Sequence, residues 1–409
     1  MLVLQDLGKW MKPLESWMCP SAALITEPPP SPETCSSVGT RLGGLLASVH
    51  CDATLLFKSQ TSTGDGRLWF ENPDTKDLVR NEIVGKILPA LRPWIDTDTD
   101  KAEKVAKIIS QDFEHSFLDT FRPSSLSSSS VPKMMFSMGD LWTGSIIVDT
   151  SPATSSSHPG MDGTEVEVGL VDWEFTSPGR IGRDITQLST WLYLFSMSSV
   201  WSSTEPSYHR AVMDIAATLS TSSTGLGLLT PDFGAGVGED PSVEGGAKSV
   251  VEETLGLRDA AGCLLNALLD AYARKVKEYP DYAWFVDEGY DQRRFRRERL
   301  AVIRSIWILF GRELIYDAAE AKSRFFAVDV DGDENREEEE MWQRMMIELG
   351  CWYVSRAGES SDEEFAEVVK NEGVLKRTCI ILRRSSRHRS HRQLSRRPRL
   401  STLDGPPPQ

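Results

Sequence analysis

Two acidic residues in the middle of the chain stand where strands begin or end, and their types suit phosphoryl-transfer chemistry. Asp140 lies in a turn ahead of the apolar run 146–148, and Asp172 directly follows the apolar run 168–171. If the two runs pair as a hairpin, both carboxylates converge beside this short ribbon. One carboxylate can then accept a proton from a hydroxyl while the other holds Mg²⁺ against a triphosphate.

The two segments that carry these residues read MGDLWTGSIIVD from position 138 and VGLVDWEF from position 168. By the order of these motifs and their place beside strands, they resemble the catalytic half of the aminoglycoside phosphotransferase and choline-kinase-like family. Their sequences are most similar to the motifs of methylthioribose kinases. In that family a loop H-G-D-L-H-x-G-(N or S) precedes one strand, and I-D-(W or P)-E follows its partner strand. The resemblance covers residues 1–200 with motifs and the later helices only loosely, and it implies a protein-kinase-like fold.

The resemblance implies roles for five residues. Asp140 matches the catalytic base that orients and deprotonates the acceptor hydroxyl, and Ser145 matches the residue that ends the catalytic loop and is often a metal ligand. Asp172 matches the main Mg²⁺ ligand, and Glu174 matches a second ligand. Asp184 matches the Asp at a helix start that braces the catalytic loop. The implied partners are ATP with Mg²⁺ and a small molecule that offers a hydroxyl group.

Two local departures from the family pattern leave the predicted chemistry in place. Met138 stands where the family usually has His, a residue that buttresses the loop and carries no catalytic proton. Asp140 and Asp172 are 32 positions apart because the connection 150–164 is rich in Ser, Pro and Gly. A hairpin tip tolerates such an insertion, since the entropy cost of closing a loop grows slowly with its length.

The start of the chain resembles the hinge strand of the same family, whose backbone binds adenine. By that resemblance Gln5, Asp6 and Leu7 would contact the nucleotide. The family's small lobe, with its phosphate-covering loop and strand Lys, finds no counterpart in the sequence. We therefore expect an α-rich α+β fold: a kinase-like large lobe over 9–375 with a small catalytic β-hairpin, a hinge-strand remnant at 1–8, and no further N-terminal lobe. A Ser- and Gly-rich insertion is predicted at 202–250.

Apolar residues at helical spacing predict an α-rich body. The predicted helices lie near 38–49, 78–91, 102–113, 184–197, 260–279, 293–321, 337–356 and 362–371. The second is expected to end near Pro89 or Pro93. His50 is expected to end the first, where a cation suits the helix dipole. No cluster of His residues suggests a metal site.

Composition predicts a cytoplasmic globular protein. Hydrophobic residues make up 40% of the chain, which is ample for a core. The six Cys residues form no C-x-x-C pair, so free thiols in a reducing compartment are expected. The longest apolar runs are far shorter than a membrane span. An acidic body would attract a cationic acceptor such as an aminoglycoside or choline, although charge alone does not choose between them.

The net charge of −15 is unevenly spread, because ten Lys and Arg residues and no Asp or Glu fall between 376 and 399. The acidic body makes nucleic-acid binding unfavourable. The basic tail 376–409 is poor in apolar residues and is expected to be disordered. It could be a nuclear-import or RNA-contacting segment, or a solvated extension without a role.

Three functions remain open from the sequence. The first is a small-molecule kinase that transfers the γ-phosphate of ATP to a hydroxyl. The second is a catalytically inactive, pseudokinase-like binding module, and the third is a gene-model fragment without independent function. Since positioning the triphosphate is most of phosphoryl-transfer catalysis, the lack of a Lys-bearing nucleotide lobe predicts little or no ATP turnover.

Overall fold

The computed structural model describes residues 11–18, 30–61, 73–94, 99–121, 134–149, 166–201, 247–286, 292–320 and 333–371. These residues form an α-rich α+β fold in which long helices surround two small antiparallel sheets. The predicted hinge strand at 1–8, most of the 202–250 insertion and the basic tail 376–409 lie outside the described residues.

The described strands are β1 (Met11–Pro13), β2 (Met134–Ser137), β3 (Ile146–Asp149), β4 (Val168–Leu170) and β5 (Ser177–Arg180). The helices are α1 (Leu14–Met18), α2 (Pro32–Thr61), α3 (Pro73–Leu78), α4 (Ile87–Leu91), α5 (Thr99–Phe121), α6 (Arg183–Trp201), α7 (Ala247–Val276), α8 (Pro280–Val286), α9 (Gln292–Glu320), α10 (Asp333–Glu359) and α11 (Asp362–Asn371). A π-helical segment (Val79–Ile83) and a 3₁₀ turn (Val84–Lys86) join α3 to α4.

The predicted hairpin is present as the antiparallel pair β3–β4. Its register places Ile146 opposite Leu170 and Val148 opposite Val168. Strand β1 extends the same sheet by pairing with the other edge of β3, which the sequence patterns did not predict. A second sheet pairs β2 with β5, so the loop after β2 and the turn before β5 lie side by side.

The core is built from closely packed helix pairs on either side of these sheets. Helix α2 packs along α7 at two glycines, because a Cβ built on Gly39 would lie 2.2 Å from the carbonyl oxygen of Leu264. A Cβ on Gly43 would lie 2.2 Å from the carbonyl oxygen of Leu268. Helix α9 packs on α10 around buried aromatic rings such as Trp307. Such close backbone approach fixes the frame that holds the sheets.

Each helix predicted by apolar periodicity is present, although most extend beyond the predicted bounds. The region 78–91 differs most, because the π-helical segment adds an extra residue to one turn. Val79 and Val84 are buried there together with Ile87 and Leu91, while Leu78 is exposed. The helical path also continues through Pro89, which lies early in α4, where a missing N–H costs least.

Two further observations concern the chain's surroundings. Within the described residues, no helix combines the length and apolar character needed to cross a membrane. Cys35 and Cys351 carry free thiols, and both side chains are buried. Burial raises the pKa of the Cys35 thiol to about 12, so this thiol stays protonated.

Candidate active site

The turn between β2 and β3 is closed by a glycine that no other residue can replace without strain. Gly139 has a φ of +88°. A Cβ at this position would lie 2.1 Å from the carbonyl oxygen of Phe175, which belongs to the turn before β5. The glycine therefore lets the loop pass directly against the segment that follows Asp172. This close approach brings the two predicted catalytic segments together.

Asp184, the second residue of α6, holds this turn by accepting hydrogen bonds from it. The backbone N–H of Met138 donates to its Oδ2 at 2.7 Å, and that of Gly139 donates to its Oδ1 at 3.2 Å. The hydroxyl of Ser137 donates to Oδ1 at 2.5 Å. The predicted role of Asp184 as a brace for the loop is thus confirmed.

The prediction for His50 is wrong, because α2 continues for eleven residues past it and the imidazole is buried. Its Nε2 lies 2.9 Å from Oδ2 of Asp184, and its Nδ1 lies 2.9 Å from the hydroxyl of Tyr272. Burial by itself would raise the pKa of Asp184. The hydrogen bonds from His50 and Ser137 overcome burial and hold this pKa at about 2. Asp184 is therefore a fixed anion beneath the loop.

Asp140 is half-buried at the end of this turn, and few donors reach it. Its Oδ1 accepts a hydrogen bond of 3.1 Å from Nε2 of Gln187, whose Oε1 in turn accepts from the N–H of Leu141. Burial raises the pKa of Asp140 to about 6, with the charges of Glu313 and Asp172 adding to the rise. The charge of Arg183 and the Gln187 hydrogen bond act in the opposite direction. Such a pKa suits a general base near neutral pH.

Asp172 follows β4 in a backbone conformation that non-glycine residues seldom adopt. Its φ is +62°, and its side chain is exposed. The N–H of Val171 donates to the carbonyl oxygen of Ser145 at 2.9 Å, which extends the hairpin to the residue before it. Strained backbone of this kind clusters at functional sites. The negative charge of Asp172 helps to raise the pKa of Asp140, so these two predicted carboxylates lie close enough in the structure to interact.

The other two predicted metal ligands differ in their surroundings. Glu174 is exposed in the turn after Asp172. Ser145 is fully buried, and its hydroxyl donates to the carbonyl oxygen of Trp142 at 2.8 Å and accepts from the Trp142 N–H at 3.0 Å. The Ser145 side chain therefore closes the 3₁₀ turn Thr143–Ser145. The predicted nucleotide contacts Gln5, Asp6 and Leu7 lie outside the described residues.

The sequence did not reveal a charged group that α9 brings to Asp140. Glu313 is buried, beside the buried guanidinium of Arg312, and its charge is the second cause of the raised pKa of Asp140. Arg183 reaches the same turn, since its Nη2 donates to the carbonyl oxygen of Gly139 at 3.2 Å. Glu313 lies 173 positions beyond Asp140, and no local pattern signals such a distant contact.

The predicted Mg²⁺ site offers a few carboxylates, and its metal would need further ligands from a phosphorylated compound. In the part of the chain that the structure describes, no group of three His, Cys, Asp or Glu residues is arranged to hold a metal ion by itself. Mg²⁺ is usually held through one or two carboxylates together with substrate phosphates and water. Asp172 and Glu174 are exposed, and the charge of Asp172 acts on Asp140. These carboxylates would supply the one or two protein ligands of such a site.

No protein-family model matches the sequence, and no curated protein matches it.

Proposed function

We propose that this chain carries the catalytic site of a phosphotransferase that moves the γ-phosphate of ATP to a hydroxyl of a small molecule. The single observation that carries the proposal is the environment of Asp140: a half-buried carboxylate with its pKa raised to about 6, in the field of Asp172. A base that is ionised at neutral pH yet basic enough to take a proton is what hydroxyl activation requires.

The arrangement of strands supports a protein-kinase-like large lobe. The β3–β4 hairpin carries the Asp140 loop at one end and Asp172 after its second strand. The β2–β5 pair flanks this hairpin in sequence. Asp184, at the start of α6, holds the loop by accepting a hydrogen bond from it. Helices then provide the rest of the lobe, as the resemblance of the two motifs implies.

The residues of this chain would act in a fixed order on the acceptor. The acceptor hydroxyl donates a hydrogen bond to the carboxylate of Asp140, which orients its oxygen toward the γ-phosphorus. As the new P–O bond forms and the bond to ADP breaks, the hydroxyl proton passes to Asp140. Asp172, with Glu174, would hold Mg²⁺, which neutralises charge on the transferred phosphoryl group when bound. Gln187 keeps the Asp140 carboxylate in place.

A non-catalytic binding module is the second candidate, and the position of Ser145 favours it. The Ser145 hydroxyl is engaged within its own turn, so the arrangement leaves Asp172 and Glu174 as the exposed metal ligands. Among the described residues, no strand Lys stands behind a glycine-rich loop. On this reading the site would bind a small hydroxyl compound without transferring phosphate at a useful rate.

The test is a sensitive transfer assay with radiolabelled ATP, Mg²⁺ and a panel of small hydroxyl compounds. We expect slow transfer that falls by about 100-fold or more in Asp140→Asn, the range that a general base contributes. Asp172→Asn should raise the Mg²⁺ concentration needed for half-maximal rate. Asp149→Asn, at the far end of β3, is the matched control and should keep the rate. Transfer that survives Asp140→Asn, or no transfer to any compound, would contradict the proposal.

We also propose a cytoplasmic location for the chain. Its support is the state of the buried Cys35 and Cys351, which have no disulfide partner. Free buried thiols suit a reducing compartment. Tracking a tagged chain through cell fractionation tests it, and recovery from an oxidising compartment would contradict it.

A further inference from the structure

A small cavity lies between α5, β5 and the middle of α9. It has a volume of about 50 Å³. Its polar and charged lining residues come from three separate stretches of the chain: Arg180 and Arg183, Ser305 and Arg312, and Asp112. The roles proposed for Asp140 and Asp172 do not use this cavity.

The charged lining of the cavity is predominantly cationic. Three Arg residues line it, whereas among the described residues Asp112 is the one acidic residue that does so. Asp112 accepts hydrogen bonds from Nη1 of Arg180 at 3.0 Å and from the hydroxyl of Ser305 at 3.0 Å, so its charge is well matched locally. Arg312 is only 7% exposed and lies beside Glu313. With three arginines and one acidic residue in its lining, the cavity favours an anion over a cation.

The carboxylates that face Arg183 from neighbouring elements do not line the cavity. Asp184, Glu313 and Asp140 all act on the Arg183 guanidinium by charge, yet none of them contributes to the cavity wall. Arg183 donates hydrogen bonds to the Gly139 carbonyl at 3.2 Å and to the Ser177 hydroxyl at 3.4 Å. Its position links the cavity directly to the turn that presents the candidate base.

The size of the cavity limits what can enter it. A water-sized group needs about 10–15 Å³ of such volume. The cavity therefore has room for only a few non-hydrogen atoms, such as those of a carboxylate or phosphate group. An aminoglycoside ring is far too large for it. Arg is also the side chain best suited to carboxylate and phosphate oxygens, because its planar N–H groups can donate in pairs.

We propose that this cavity binds the anionic group, a carboxylate or a phosphate, of the same small compound whose hydroxyl Asp140 activates. The acceptor is then a small hydroxylated anion. The proposal rests on the proposed function for its hydroxyl, although the anion site can be tested alone. It also opposes the long-range preference of the chain, whose net charge of −15 repels anions. Binding must therefore come from the local arginines.

The experiment measures binding to the full chain without nucleotide or metal, by calorimetry at constant ionic strength. The probes are inorganic phosphate, glycolate as the smallest hydroxy acid, and choline as a small organic cation that also carries a hydroxyl. We expect phosphate or glycolate to bind at one site and choline not to bind. Arg183→Gln should weaken anion binding by about 10-fold, the usual scale for one charge-assisted pair. Arg312→Lys, which keeps the charge but loses the planar fork, should weaken it less.

Arg92→Gln is the matched control, since Arg92 is exposed at the end of α4 and lies outside the cavity lining. Its anion affinity should stay within about 2-fold of the parent. Circular dichroism of each variant shows that the fold is kept, and Arg312→Lys serves if Arg183→Gln unfolds. Equal loss in Arg92→Gln and Arg183→Gln, binding of choline alone, or no binding of either anion overturns the inference.

Failure of this inference can be told apart from failure of the proposed function. If phosphate or glycolate binds through Arg183 but no ATP-dependent transfer is found, the anion site stands and the proposed function falls. If transfer occurs only to cationic compounds and neither anion binds, the proposed function stands and this inference falls. Which of the two anions binds more tightly distinguishes a phosphate ester from a hydroxy acid as acceptor.

Discussion

Replacing the candidate base by its neutral isostere should stabilise the protein while abolishing its proposed activity. Asp140→Asn keeps the shape of the side chain and an acceptor oxygen for Gln187. It removes a negative charge that is half-buried and shares its surroundings with the charges of Glu313 and Asp172. Active sites often hold such unfavourable charge at a cost in stability.

The size of the effect follows from the pKa of Asp140. Because the folded state raises this pKa from 3.8 to about 6, the protonated carboxyl is preferred in the fold. Its stabilising effect is fully present below pH 3.8 and is lost as the pH rises to about 6. At about 1.4 kcal/mol per pKa unit, ionised Asp140 costs the folded state at most about 3 kcal/mol at pH 8. By the same linkage, the cost is about 1.5 kcal/mol at pH 5 and about 0.5 kcal/mol at pH 4.

The assay compares the free energy of unfolding of the parent and Asp140→Asn in urea at pH 8, 5 and 4. We expect the variant to be more stable by about 2–3 kcal/mol at pH 8, with the gain shrinking toward zero at pH 4. Asp172→Asn is the matched control, because Asp172 is exposed and Asn tolerates a positive φ. It should change stability by less than about 0.5 kcal/mol at any pH. No gain in Asp140→Asn, or an equal gain at pH 8 and pH 4, would refute the picture of a desolvated base.

The remaining predictions concern the turn, its support and its titration. Gly139→Ala should lower the free energy of unfolding by about 3 kcal/mol, through a positive φ and a clash with backbone. Gly44→Ala, a helical position with open space around it, should instead raise that free energy by about 0.5–1 kcal/mol in the same urea titration. His50→Gln should lower it by about 3 kcal/mol, because a buried carboxylate loses its charge-assisted partner, and a loss below about 1 kcal/mol would contradict this reasoning. The transfer rate should rise with pH through about 6 as Asp140 ionises, and in Arg183→Gln the midpoint of the pH–rate profile should move upward; a flat profile would contradict Asp140 as the base.

Local apolar periodicity predicted the helices of this fold well, because the spacing of apolar residues over a few turns indicates which face of a helix is buried. The run Ala102, Val105, Ile109 and Phe113 is buried as its spacing indicates, and α5 contains it. The pattern failed around Leu78, where a π-helical segment moved the buried face by one position. Such an insertion depends on packing against neighbouring helices, so periodicity of one segment does not report it.

The long-range parts of the candidate site could not be read from spacing. Asp140, Asp172 and Asp184 came from motifs within a stretch of 45 residues. Glu313 and His50 reach the same site from α9 and α2, whose positions depend on packing of the whole core. For His50, the available signal was a His on an otherwise apolar helix face. Interpreting that signal required knowledge of its carboxylate partner, which only the fold supplies.

Asp184 and Asp140 belong to the same turn region, and their opposite surroundings give two identical side chains different pKa values. Asp184 accepts hydrogen bonds from Ser137, Met138 and Gly139 and pairs with His50, so its pKa falls to about 2 and it stays ionised. Asp140 receives Gln187 alone among the hydrogen bonds seen within the described part, and its pKa rises to about 6. A carboxylate surrounded by donors holds structure but cannot take a proton at neutral pH. Separation of the two pKa values is the pattern expected where one carboxylate anchors structure and another accepts protons, and it supports the proposal that Asp140 is the base.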